Sequence, residues 1–104
     1  MAELDVVREI DKMIATDGVG SLFVNGLAHK LSPAIAGMRK KNWVKKAALL
    51  QQVIQRFGQP IQEHWATEEE SMDFAEKCED FGINESAWLS QVDAKYLQLV
   101  DETK

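Results

Sequence analysis

The sequence predicts an all-α protein, a compact bundle of five to six short helices in a single domain of 104 residues. Three observations lead there. Apolar residues recur at intervals of three and four in every strongly periodic segment. No run alternates apolar and polar residues over strand length, and the β-branched residues are scattered. Glycine, proline and capping residues interrupt the periodic stretches at short intervals, which calls for tight connections rather than linkers.

Leu4, Val7, Ile10 and Ile14, with Met13 beside the last, make the apolar stripe of a first helix, which Asp17-Gly18-Val19-Gly20 stops. Ser21 is the expected cap of a second helix, Leu22–Leu31, with Leu22, Phe23, Leu27 and Leu31 apolar. Gly26 weakens its middle by roughly 1 kcal/mol relative to alanine, which calls for a packing reason. Ser32-Pro33 reads as a cap followed by a first-turn proline, opening a third segment through Ile35 and Met38 whose length Gly37 leaves open. Asn42 is the expected cap of the strongest helix, Trp43–Phe57, where Trp43, Ala47, Leu50, Ile54 and Phe57 form a narrow apolar seam.

Gly58 ends that helix, and Pro60 opens the next turn, with Ile61 and Trp65 one helical turn apart. Thr67 followed by Glu70 is a capping box, and Glu68–Glu70 suit the positive end of the helix that follows. Phe74, Ala75, Cys78 and Phe81 form its apolar face, and Gly82 is expected to close it. Asn84 then caps a last helix with Trp88, Leu89, Val92, Tyr96 and Leu99 inward. The expected core contains Leu27, Trp43, Leu50, Ile54, Phe57, Phe74, Phe81, Trp88 and Tyr96.

At 45% apolar and 28% charged residues the chain is too apolar for disorder, and its apolar runs are far too short to span a membrane. Met1–Arg8 contains no apolar segment of the kind a secretory signal needs. The single cysteine, Cys78, excludes an internal disulfide and fits a reducing compartment. A cytoplasmic protein is expected.

Charge is sorted along the chain. Gly18–Gln62 contains no acid but holds Lys30, Arg39, Lys40, Lys41, Lys45, Lys46 and Arg56, a block of +7. Residues 1–17 carry −3, from five acids and two bases, and residues 63–104 carry −9, from twelve acids and three bases. Together these give the net −5. A purely basic middle can face the chain's own acids, a protein partner or a polyanion.

On the Trp43–Phe57 helix, Lys45 and Arg56 project opposite the seam and Lys46 sits at its border. Arg39, Lys40 and Lys41 fall at or before its N-terminus, where each cation costs about 0.3–1 kcal/mol if exposed and a bound anion would reverse the sign. Arg39, Lys40, Lys41, Lys45, Lys46 and Arg56 are therefore the candidate nucleic-acid-binding residues. The competing expectation is that these cations solubilise one face or pair with Glu63–Glu85, a stretch of nine acids and one base. Trp43 has two uses, stacking on a base or packing in the core. Leu27–Pro33 and the basic segment after it resemble a helix-turn-helix, but Lys41 falls where that motif buries an apolar residue and Pro33 departs from its usual turn.

Phe23-Val24-Asn25-Gly26-Leu27, and Tyr96 with Glu102 six residues later, resemble motifs of the Cmr-type small helical subunit of type III CRISPR effector complexes. That resemblance implies an all-helical, non-catalytic subunit that stacks along a guide–target RNA through basic faces, here those of the six candidates.

Sites for chemistry are weakly indicated. Glu63-His64-Trp65 with Glu68 offers two metal ligands on one face, and His29 is the only other imidazole, short of the usual three or four ligands. Cys78 lies on an apolar stripe among carboxylates, which opposes thiolate formation. The serines have no nearby histidine in sequence, and the glycines match no phosphate loop. The expectation is a protein without enzyme activity, cofactor or metal. Its first functional reading is a small helical subunit of a nucleoprotein complex, contacting single-stranded nucleic acid through the basic segment. The alternative is an acidic helical interaction module, adaptor or inhibitor, docking on a basic partner surface. Either is compatible with a homo-oligomer, and neither involves a membrane.

Overall fold

The computed structural model describes residues 3–59, 61, 62 and 64–99. They form α1 (Glu3–Asp17), α2 (Val19–Val24), a 3-10 turn (Ala28–Lys30), α3 (Leu31–Lys40), α4 (Val44–Phe57), α5 (Glu68–Asn84) and α6 (Ser86–Gln98). The all-α bundle therefore stands, with six helices and no strand among the described residues. None of these helices is long and apolar enough to cross a membrane. α1 packs on α3 and α3 on α4, while α2 sits against both α5 and α6.

The turn after α1 is a glycine turn, as expected: Gly18 has φ +87°, and its amide reaches back to the Ile14 carbonyl at 3.1 Å. α2 then starts at once. Its first amide, Val19 N–H, donates to the Asp93 carboxylate of α6 at 2.8 Å, so the cap comes from a residue 74 positions away. Ser21 lies inside α2 and its hydroxyl donates to the Gly18 carbonyl, 2.7 Å, instead of capping. The expected helix Leu22–Leu31 is in fact two pieces, because Gly26 adopts φ +73° and leaves helical geometry. A 3-10 turn bridges to α3, where Ser32 and Pro33 are the second and third residues and no side chain caps. Pro33 is tolerated there because its missing N–H falls among the four that have no intrahelical acceptor.

Asn42 is not the cap of α4 but the left-handed residue that ends α3, with φ +68°. Trp43 N–H donates to the Met38 carbonyl at 2.8 Å and Asn42 N–H to that of Arg39 at 3.1 Å, the paired bonds of a Schellman ending. α4 starts one residue later than expected and ends at Gly58, φ +68°, as expected. The described residues from Gln59 to Thr67 carry no helical turn, so Ile61 and Trp65 are not helical neighbours. Pro60, expected to open that turn, and Glu102, paired with Tyr96 in the family resemblance, lie outside the described residues. Thr67 Oγ1 accepts from Glu70 N–H at 3.1 Å, the capping bond read from sequence. Gly82 does not close α5, which runs on to Asn84. It is instead where α2 crosses, and a Cβ there would lie 2.9 Å from Val24 Cγ2. Asn84 is the last residue of α5 and caps nothing in α6.

Of the nine expected core residues, Leu50, Phe57, Phe81 and Tyr96 are buried, whereas Leu27, Trp43, Ile54, Phe74 and Trp88 are half-buried against the core. Val7, Ile10, Leu22, Phe23, Met38 and Val53 supply much of the centre. Phe23 joins Phe57 and Phe81 at centroid distances of 5.2 and 4.7 Å, locking α2, α4 and α5 together. α5 is the thinly packed helix: of its 17 residues Cys78, Phe81 and Gly82 are buried.

Candidate functional site

The six candidate cations do not form one patch. Arg39 and Lys40 are exposed in the last turn of α3, and Lys41 caps it with its ammonium 5.0 Å from the Trp43 ring centroid. Because Asn42 ends α3, these three sit at the negative end of a helix dipole, not the positive end of α4. The dipole effect is thereby reversed in sign, each exposed cation being favoured by about 0.3–1 kcal/mol without an anion. Lys45 is exposed in the first turn of α4.

Lys46, next to it, is only 4% exposed. The buried face of α4 runs through Lys46, Ala47, Leu49, Leu50, Val53 and Phe57, broader than the narrow seam and rotated toward Leu49 and Val53. Lys46 Nζ lies 3.0 Å from Asp11 Oδ1 and 4.5 Å from the Tyr96 ring centroid. The Tyr96 hydroxyl donates to the same Asp11 oxygen at 2.7 Å, tying α1, α4 and α6 through one carboxylate. Arg56 stands eleven residues beyond Lys45, about 16 Å along the helix. Its guanidinium stacks 4.5 Å over the Trp88 ring and its Nε donates to Glu85. Lys30 pairs with Glu9 at 2.8 Å. Lys46 is thus engaged inside the fold and Arg56 at its surface with Trp88 and Glu85, while Arg39, Lys40, Lys41 and Lys45 lie around Trp43 at the α3–α4 corner. Of the expected pairing with Glu63–Glu85, Arg56 with Glu85 is one instance, and α1 supplies a partner to Lys30 through Glu9 and to Lys46 through Asp11.

The opposite charge is displayed more openly. Glu68, Glu69, Glu70, Asp73, Glu76, Glu79 and Asp80 are all exposed along α5. Glu69, Asp73, Glu76 and Asp80 recur at intervals of four and three on the side away from Cys78 and Phe81, and share it with Met72, 66% exposed, and Ile83, 61% exposed. Lys77 pairs with Asp73 at 3.1 Å and offsets only one of these carboxylates. The exposed Met72 and Ile83 were legible as the apolar residues of this segment that fall off its apolar stripe.

Cys78 is buried, and desolvation pushes its thiol up to about 11. His64 is exposed in the irregular segment before α5, so it and Glu68 are not one turn apart on a helix, and Glu63 lies outside the described residues. No group of three histidine, cysteine or carboxylate side chains placed to hold a metal occurs among the described residues. Comparison with protein-family models, curated proteins and solved structures finds no match for this chain.

Proposed function

We propose that this protein is a non-enzymatic interaction module, an adaptor or inhibitor, whose acidic outer α5 face docks on a basic partner surface. The observation that carries this reading is the contrast in display: α5 holds its carboxylates and two apolar side chains outward, while Lys46 is buried against Asp11 and Lys30 and Arg56 are paired with Glu9 and Glu85. Carboxylates arrayed on a helix face steer a basic surface into register. Met72 adds an adaptable apolar contact among them, because its flexible thioether repacks against varied surfaces. Removing Met72 and Ile83 from water on docking contributes where charge alone is screened by salt.

A second reading, single-stranded nucleic acid held at the α3–α4 corner in a larger complex, is favoured by the exposed Arg39, Lys40 and Lys45 beside Trp43. It is also what the resemblance to the Cmr-type small subunit implies. Retention on immobilised polylysine and on heparin at about 50 mM salt separates the two. The interaction-module reading expects retention on polylysine that the triple variant Glu69→Lys, Glu76→Lys, Asp80→Lys abolishes. Retention on heparin alone, lost with Lys40→Glu and Lys41→Glu, would replace it with the nucleic-acid reading.

A further inference from the structure

Beside the acidic stripe, α5 forms one wall of a cleft of about 270 Å³ that the end of α2 and the segment before Thr67 complete. Phe23 and Cys78, each 1% exposed, line its bottom. Trp65 and Phe74, with ring centroids 4.9 Å apart, line one side, and Val24, 52% exposed, lines another. Glu79 stands at its edge, one helical turn from Glu76. The volume falls below the roughly 300–1,000 Å³ of pockets that enclose a whole small molecule, and suits a single large side chain. Its apolar and aromatic side, completed by Ala75, suits an interface anchor, while His29, Gln62, Ser71 and Glu79 add polar groups to the lining.

We infer that this cleft receives one apolar side chain, of leucine or phenylalanine size, from a basic partner segment whose flanking lysines or arginines lie along the α5 carboxylates. This rests on the reading of α5 given above. The charge decides the occupant, since a side chain entering here must pass Glu79 and lie beside the exposed acids of α5. A second copy docking symmetrically through this face would bring its own acidic helix toward the same carboxylates, and like charges set face to face oppose that contact.

The test uses two synthetic peptides, a lysine run with one central leucine and the same run with serine in its place, titrated against the full chain at about 50 mM salt. The leucine peptide should bind about tenfold tighter or more, the scale expected from burying one leucine. Ala75→Phe, which fills the cleft from its α5 wall, should erase that difference while leaving the serine peptide's affinity in place; Ser71→Phe, from the same wall, is the second filling variant. Equal binding of the two peptides by the parent chain overturns the cleft inference and spares the acidic face. Binding of neither removes both. A leucine preference that survives both filling variants places the anchor elsewhere and overturns the inference. So does concentration-dependent self-association of the chain that Ala75→Phe abolishes, which assigns the cleft to a second copy.

Discussion

Lys46 carries a formal charge on the buried face of a helix, and its environment explains how. Its stem lies among apolar side chains, its ammonium reaches Asp11, and the Tyr96 and Trp43 rings face it at 4.5 and 5.2 Å. Removing one partner of a buried pair strands the other, at about 3–5 kcal/mol when both are fully buried. The Asp11 side chain is 32% exposed, so water offsets part of that loss. Lys46→Met, which keeps the stem, should therefore destabilise the fold by about 1–3 kcal/mol in urea unfolding, against less than about 1 for Lys45→Met on the exposed side. Cys78 has a different signature. Its thiol is raised from 9.0 to about 11 by burial, so the native chain keeps a proton that the unfolded chain loses. Stability should then fall as pH rises from about 9 to about 11. At neutral pH a thiol reagent should label the native chain slowly and the denatured chain fast.

The helices were legible where a residue's local role and its tertiary role coincide. Gly58 and the Thr67–Glu70 cap end and begin helices in the folded chain as their local chemistry dictates. Asn42 and Gly82 were not legible, because each residue type serves two purposes and the choice is made by a neighbour. Gly26, by contrast, meets no packing need, a Cβ there facing open space, and serves through its φ of +73°. Asn42 suits an N-cap and a left-handed C-terminal turn alike, and the register of Met38 under Trp43 selects the second. Gly82 suits a helix stop and a close crossing, and Val24 selects the crossing. Gly82→Ala should accordingly destabilise the protein although alanine is the better helix former by about 1 kcal/mol, since overpacking costs about 1–3 kcal/mol. Val24→Ala in the same chain should recover most of that loss in thermal unfolding. A stabilising Gly82→Ala would show that α2 and α5 do not cross there.

Across the molecule, the segregation of charge in the sequence survives folding only in part. The basic block was legible as composition, but which cations remain displayed depends on α1 carboxylates far away in sequence and on the rotation of α4, neither of which a one-dimensional pattern contains. The carboxylates of α5 stay exposed because α5 buries so narrow a stripe that they have nowhere to go but outward. The most direct test of the proposed role is the salt dependence of binding to polylysine and to single-stranded RNA, for the parent chain and for Glu69→Lys, Glu76→Lys, Asp80→Lys. Polylysine should bind the parent, weaken steeply with salt and lose at least tenfold in affinity with the triple variant, while RNA stays unbound at about 50 mM salt. RNA binding by the parent with a log–log salt slope near about −3, the value for about four phosphate contacts at the α3–α4 corner, together with no response of polylysine to the triple variant, would contradict it.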